Sequence, residues 1–242
     1  MKRIFSPFLG VLMLVFTSCN NDKGDDIEYI ANIPAIVGYN YSLNQPVLIT
    51  PGEIFLAPDL DYDFYYLLLY EGDAVMAYIS LNHTRQPSKD YRTVSVLDYT
   101  YFDKASPFVE GESDATNFVP VEDMRLYAMI MHDRIQVLFA GFSHTSYYRD
   151  FDYEMTYDPD ETGKTLTLSV RATGKGREYQ TKESFWWVGV FDMYEYLMTL
   201  EKDSENKVKL NFRYNTGEDV DGNELWEDCA DNPLTITLQE DI

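Results

Sequence analysis

The chain of 242 residues is poor in the residue types that build metal and covalent chemistry: it holds two cysteines and three histidines. Two thiols cannot staple a disulfide scaffold. His83, His132 and His144 lie far apart and fit neither a Cys/His zinc spacing nor an HxxEH helix. Gly141-Phe142-Ser143-His144-Thr145 lacks the second glycine of a nucleophile elbow. No catalytic residue, metal or cofactor is therefore expected. Basic residues are scarce too. Lys plus Arg number 19 against 41 Asp plus Glu, a formal charge of −22. A phosphate backbone would be repelled, so nucleic acid is excluded as a partner. The apolar run from Phe8 to Phe16 falls short of the roughly 20 residues that span a bilayer as a helix. What is plentiful excludes disorder: 45% of the chain is hydrophobic and 15% aromatic.

The short apolar run has another use. Lys2 and Arg3 precede it, and Thr17-Ser18-Cys19 follows it. A basic start, an apolar centre and small residues at the end are the layout of a secretory signal, here over residues 1–18. Small residues before a cysteine resemble a bacterial lipobox, with Phe16 standing where leucine is common. Cys19 would then be lipidated and would anchor the protein to a membrane. An ordinary signal peptide with an incidental thiol is the alternative. Loss of Lys2 and Arg3 makes the mature chain two charges more negative than −22. Residues 19–32 open with Asn20-Asn21-Asp22-Lys23-Gly24-Asp25-Asp26, acidic and nearly free of apolar side chains, and read as a tether. With Cys19 acylated, Cys229 has no partner. It sits among Glu227, Asp228 and Asp231, which should raise its pKa and leave it a bland thiol.

The body alternates with period two. Val208, Leu210, Phe212 and Tyr214 alternate with polar residues, as do Leu166, Leu168 and Val170, and Leu234, Ile236 and Leu238. Strands with one buried face give this pattern. Runs at Ala74–Leu81, Arg92–Asp98, Leu126–Met131 and Ile135–Phe142 read as more deeply buried strands. His132-Asp133-Arg134 joins the last two as a hairpin turn, and Asp158 to Lys164 is a second turn. Helical patterning is confined to Phe191–Leu200, which lacks a clean cap and predicts a short helix or irregular segment. Residues 104–120 carry Pro107, Gly111 and Pro120 with no sustained period and read as a linker. The expected fold is all-β: a small closed barrel over 33–103, then a larger two-sheet sandwich over 121–242.

Several features together look familiar: the lipobox at Cys19, the acidic tether, Gly72-Asp73-Ala74-Val75-Met76-Ala77-Tyr78, Val96-Leu97-Asp98-Tyr99-Thr100, and the opening Val121-Glu122-Asp123-Met124-Arg125-Leu126-Tyr127 of the second domain. This layout resembles the NigD-like lipoproteins of Bacteroidetes. The resemblance implies an N-terminal OB-type barrel, a C-terminal β-sandwich and an outer-membrane lipoprotein on the periplasmic or cell-surface side. It assigns no catalytic residue or ligand. The acidic stretch after Cys19 also resembles one that directs such lipoproteins to the surface.

Aromatic side chains are the remaining candidates for function. They cluster at Tyr62, Phe64, Tyr65 and Tyr66; at Tyr99, Tyr101 and Phe102; at Tyr147 and Tyr148; and at Trp186 and Trp187. Neighbours in a strand face opposite sides, so one of each pair can be exposed. Exposed Tyr and Trp offer rigid amphipathic surface to a protein or a sugar ring. Tyr65, Tyr101, Tyr148, Trp186 and Trp187 are the candidate ligand-binding aromatics, and core packing is the competing role. Glu218 to Glu224 gathers oxygen ligands without the twelve-residue calcium pattern and reads as a solvated hairpin. Arg171, Lys175, Arg177 and Lys182 frame a hairpin tip. The expected function is non-enzymatic binding of a glycan or an envelope protein. A glycan hydrolase with paired carboxylates and a pilin-like surface subunit are the alternatives.

Overall fold

The computed structural model describes residues 26–52, 54–59, 69–84, 86, 88–109, 111, 115, 117–161, 165–201 and 203–238. The signal, Cys19, the first half of the expected tether and Tyr65 lie outside the described residues. The chain divides into two units. The first comprises Met1–Phe102 with Ile130–His132, and the second Asp103–Met129 with Asp133–Ile242.

The first unit is a closed barrel of β1 (Ile27–Asn40), β2 (Gln45–Thr50), β3 (Ile54–Pro58), β4 (Ala74–Asn82) and β5 (Arg92–Phe102), in the order β1-β2-β3-β5-β4. Only the β3–β5 contact is parallel; the others are antiparallel. Such a five-stranded barrel has the OB-type order. β1 begins at Ile27, inside the stretch expected as tether. Its first half pairs with β4 and its second half with β2. A bulge between Ile30 and Ile33, where Asn32 takes φ +57°, lets one strand serve both neighbours. Alternate residues point inward. Ala35, Val37, Leu48, Leu56, Val75, Ala77, Ile79 and Val94 form the core, with Tyr99 packed against it. Small residues on β1 and β4 face branched ones on the neighbouring strands, which suits a narrow interior. Each fully buried aliphatic side chain contributes about 1.5–3 kcal/mol.

The second unit is a sandwich. Its strands are β6 (Lys104–Ala105), β7 (Phe108–Val109), β8 (Phe118–Val119), β9 (Asp123–His132), β10 (Ile135–Ser146), β11 (Asp150–Tyr157), β12 (Thr165–Lys175), β13 (Glu183–Asp192), β14 (Lys207–Glu218), β15 (Glu224–Asp228) and β16 (Leu234–Thr237). One sheet runs β6-β13-β10-β9. The other runs β15-β14-β12-β11-β7, with β16 added to β14 and β8 to β12. The segment 104–120, read from sequence as a linker, instead supplies β6, β7 and β8 to these sheets. Each is two residues long, too short to show any period. The expected alternation is present in β14 and β16, where Val208, Leu210, Phe212, Tyr214, Leu234 and Ile236 are buried, as is Leu238 just beyond. In β12 Leu168 and Val170 are buried, but Leu166 is only half-buried and Ser169, expected on the wet face, is buried too. Asp133 takes φ +49° at the β9–β10 turn, as a short polar side chain there permits. The helical patterning yields only α1 (Tyr194–Met198), whose N-cap makes no side-chain bond.

Aromatic rings lock the two sheets together. Phe142 on β10 stacks on Tyr153 of β11 at 4.1 Å between centroids. His144 stacks on Phe151 at 4.3 Å. Gly189 makes room for the first stack, since a Cβ there would fall 2.8 Å from Phe142 and 2.9 Å from Tyr153.

Candidate functional site

The histidines settle into unrelated places. His83 pairs with Glu28, and His132 ends β9. His144 is fully buried. Its Nδ1–H donates to the Pro120 carbonyl (3.0 Å), because a carbonyl can only accept. Nε2 is then left to accept from the Tyr153 hydroxyl (2.9 Å). Burial lowers the His144 pKa and raises that of Tyr153, so both stay neutral as core groups. Among the described residues no group of three or more His, Cys, Asp or Glu could hold a metal. In the loop read as a solvated hairpin, Asp219 spends its carboxylate on the Asp221 and Asn223 amides and the Asn223 side chain. Cys229 is buried, and its thiol donates to the Met124 carbonyl (3.4 Å). Burial, ahead of the neighbouring carboxylates, pushes its pKa up to about 11.

The aromatic candidates separate by environment. Tyr101 is exposed on β5 opposite Val75. Tyr148 lies flat over Gly174, where a Cβ would approach its ring to 2.3 Å, and its hydroxyl donates to Glu178 (2.9 Å). Trp187 points between the sheets with Phe185, both rings lying beside Phe151. Trp186, its neighbour, points the other way and is 44% exposed.

Trp186 is the best-positioned of them. A Cβ on Gly141 would meet indole atoms at 2.6 to 3.0 Å. The ring therefore lies against bare backbone of β10, where any side chain would lift it away. Its Nε1–H donates to the Tyr127 hydroxyl on β9. The two rings sit 6.1 Å apart at 53°. Tyr127 is itself 38% exposed. Burial raises its pKa, so its hydroxyl stays protonated and keeps a proton to donate outward. Hydroxyl groups surround the indole on the same face. Ser143 is the cross-strand partner of Trp186, and Thr145 and Ser184 pair side by side with their hydroxyls 3.0 Å apart. The Ser143 hydroxyl also meets the Glu122 carboxylate at 3.5 Å. Sequence reasoning nominated Trp186 but not Tyr127, Gly141 or Glu122. Only the cross-strand register brings them together, and no local pattern encodes it.

The barrel offers a second, smaller feature. A shallow hollow of ≈ 200 Å³ is lined by Leu43, Gln45, Pro58, Tyr91 and Thr93 among others. It is below the size of ordinary ligand pockets, about 300–1,000 Å³.

No protein-family model matches this chain, and no curated protein does. Solved structures match over most of it. An uncharacterized protein from Parabacteroides merdae superposes with TM-score 0.67 at 13% identity, covering 86% of this chain and 99% of its own. A Bacteroides fragilis protein whose name calls it a lipoprotein gives TM-score 0.57 at 12% identity, over 84% and 97% of the two chains. A NigD-like immunity protein from Bacteroides caccae gives 0.50 at 12% identity, over 90% and 100%. The barrel-plus-sandwich architecture is thus shared with Bacteroidetes proteins, including the kind that the sequence resembles. At these identities the likeness is one of fold.

Proposed function

We propose that this chain is an envelope lipoprotein, anchored through Cys19 in the outer membrane, that works by binding a glycan or an envelope protein at the outer face of its four-stranded sheet. The carrying observation is Trp186. A large apolar ring 44% exposed, seated on Gly141 and held by Tyr127, is already ordered before any partner arrives. Binding there would cost little side-chain entropy, the usual property of an aromatic anchor. The fold it shares with a Bacteroides fragilis lipoprotein by name is in keeping with the lipobox reading.

A pilin-like role has less support. Such subunits exchange a terminal strand, whereas β1 pairs with β4 and then with β2 along its length and β16 is paired within its own chain.

Two experiments test the proposal. Globomycin should leave the precursor unprocessed in cells; normal maturation would refute lipidation at Cys19. The mature lipoprotein, purified in detergent, should retain material from envelope extract, and Trp186→Ala should release most of it. Retention unchanged by that substitution would refute the platform.

A further inference from the structure

The chemistry around Trp186 is specific enough to name a ligand class, given that the face is a binding face at all. Three properties decide. First, the indole is a single open shelf. One face rests on Gly141, the residue is 44% exposed, and Tyr127 stands at its edge at 53°. A cationic ammonium group is held best when rings enclose it from several sides. A lone flat shelf suits a flat partner with polarised C–H bonds on one side, since the aromatic face carries the negative end of the ring quadrupole. A pyranose with equatorial hydroxyls has such a side.

Second, the rim consists of hydroxyl groups. Tyr127 has an O–H proton to spare because it accepts from Trp186. Ser143, Ser184 and Thr145 lie on neighbouring positions of β10 and β13. Hydroxyls both donate and accept, and so match the hydroxyls around a sugar ring.

Third, carboxylates at this rim repel anions. The Glu122 carboxylate beside Ser143 can accept hydrogen bonds from sugar hydroxyls. Asp123 follows it and already holds the nearby Arg125 (3.1 Å). On a chain of charge −22, a uronate or sulfate would meet repulsion at close range, weakened by salt.

We infer that the Trp186 face is a subsite for a neutral pyranose, stacked on the indole with its hydroxyls on Tyr127, Ser143 and Glu122. A protein segment is the competing occupant, and the experiment separates the two.

Isothermal titration of the mature lipoprotein in detergent would use neutral gluco- and galacto-configured oligosaccharides beside the same chains ending in a uronic acid. The expected result is saturable binding of a neutral chain, weakened at least about tenfold by the carboxylate. Trp186→Ala and Gly141→Ala should each remove most of it. Gly141→Ala keeps the indole and only unseats it, so a loss there reports the platform rather than the missing ring. Glu122→Gln should narrow the gap between neutral and uronate chains. Thermal melts confirm that the variants are folded. No binding of any neutral chain, a preference for uronates, or binding indifferent to Trp186→Ala would each overturn the inference. If envelope material is still captured through Trp186 while free sugars neither bind nor compete, the occupant is a protein and the inference fails while the proposed function stands. If nothing is captured at all, the proposed function fails.

Discussion

Trp186 and Trp226 lie on the outer faces of the two sheets of one sandwich, and the protein treats them in opposite ways. Trp226, on edge strand β15, has the Arg171 guanidinium 4.9 Å and the Arg213 guanidinium 4.7 Å from its ring centre. Arg171 is held there by a two-pronged bond to Glu224 (2.9 and 2.6 Å), and Arg213 by the Ser169 hydroxyl (2.6 Å). The chain supplies its own partners for that indole. Trp186 receives a glycine beneath it and a tyrosine at its edge, and no cation is stacked on it among the described residues. The contrast separates a structural surface aromatic from a candidate binding one. Composition and exposure alone do not separate them; the satisfaction of the ring's open face does. Trp187, one residue along, completes the series by facing the interior.

The three tryptophans should therefore rank in their effect on stability. Trp187→Ala removes a ring packed between the sheets and should cost about 3 kcal/mol, read by chemical denaturation. A loss under about 1 kcal/mol would mean that the sandwich does not depend on its aromatic layer. Trp226→Ala should cost about 1–2 kcal/mol, from two partly exposed cation–π contacts and a loosened edge strand. A neutral outcome would break the comparison, since Trp226 would then be as dispensable as an open platform. Trp186→Ala should cost least, under about 1 kcal/mol, in keeping with a half-exposed ring, yet it alone should abolish binding.

A smaller effect reads the space between the two faces. The native pKa of His144 is lowered by burial from its ordinary 6.5. The unfolded chain therefore binds the proton more readily, and stability falls as pH drops below about 6.5. His144→Gln should flatten that slope relative to the parent between pH 7 and pH 5. An unchanged slope would show that His144 takes up its proton while still folded.

Much of the architecture was legible because period two survives in long strands. Val208 to Tyr214 and Leu234 to Leu238 alternate cleanly, and their buried sides are the expected ones. The strands β6, β7 and β8 were not legible, since two residues carry no period and their partners β13, β11 and β12 are distant in sequence. Trp186 and Trp187 show the limit most sharply. Alternation says that adjacent aromatics diverge, but which one faces water depends on the register of β13 against β10. Phe142, Gly189 and Tyr153 pack together in the core at that register. Tyr148 looked as open as Trp186 in sequence, yet it covers Gly174 and bonds Glu178.

With three tryptophans in the whole chain, the indole N–H region of a proton–nitrogen NMR spectrum offers one signal for each. When a neutral oligosaccharide is titrated into the labelled mature lipoprotein, the Trp186 signal should shift progressively while those of Trp187 and Trp226 hold still. Movement of the Trp226 signal with Trp186 unmoved, or no movement of any of the three at saturating sugar, would contradict binding at Trp186.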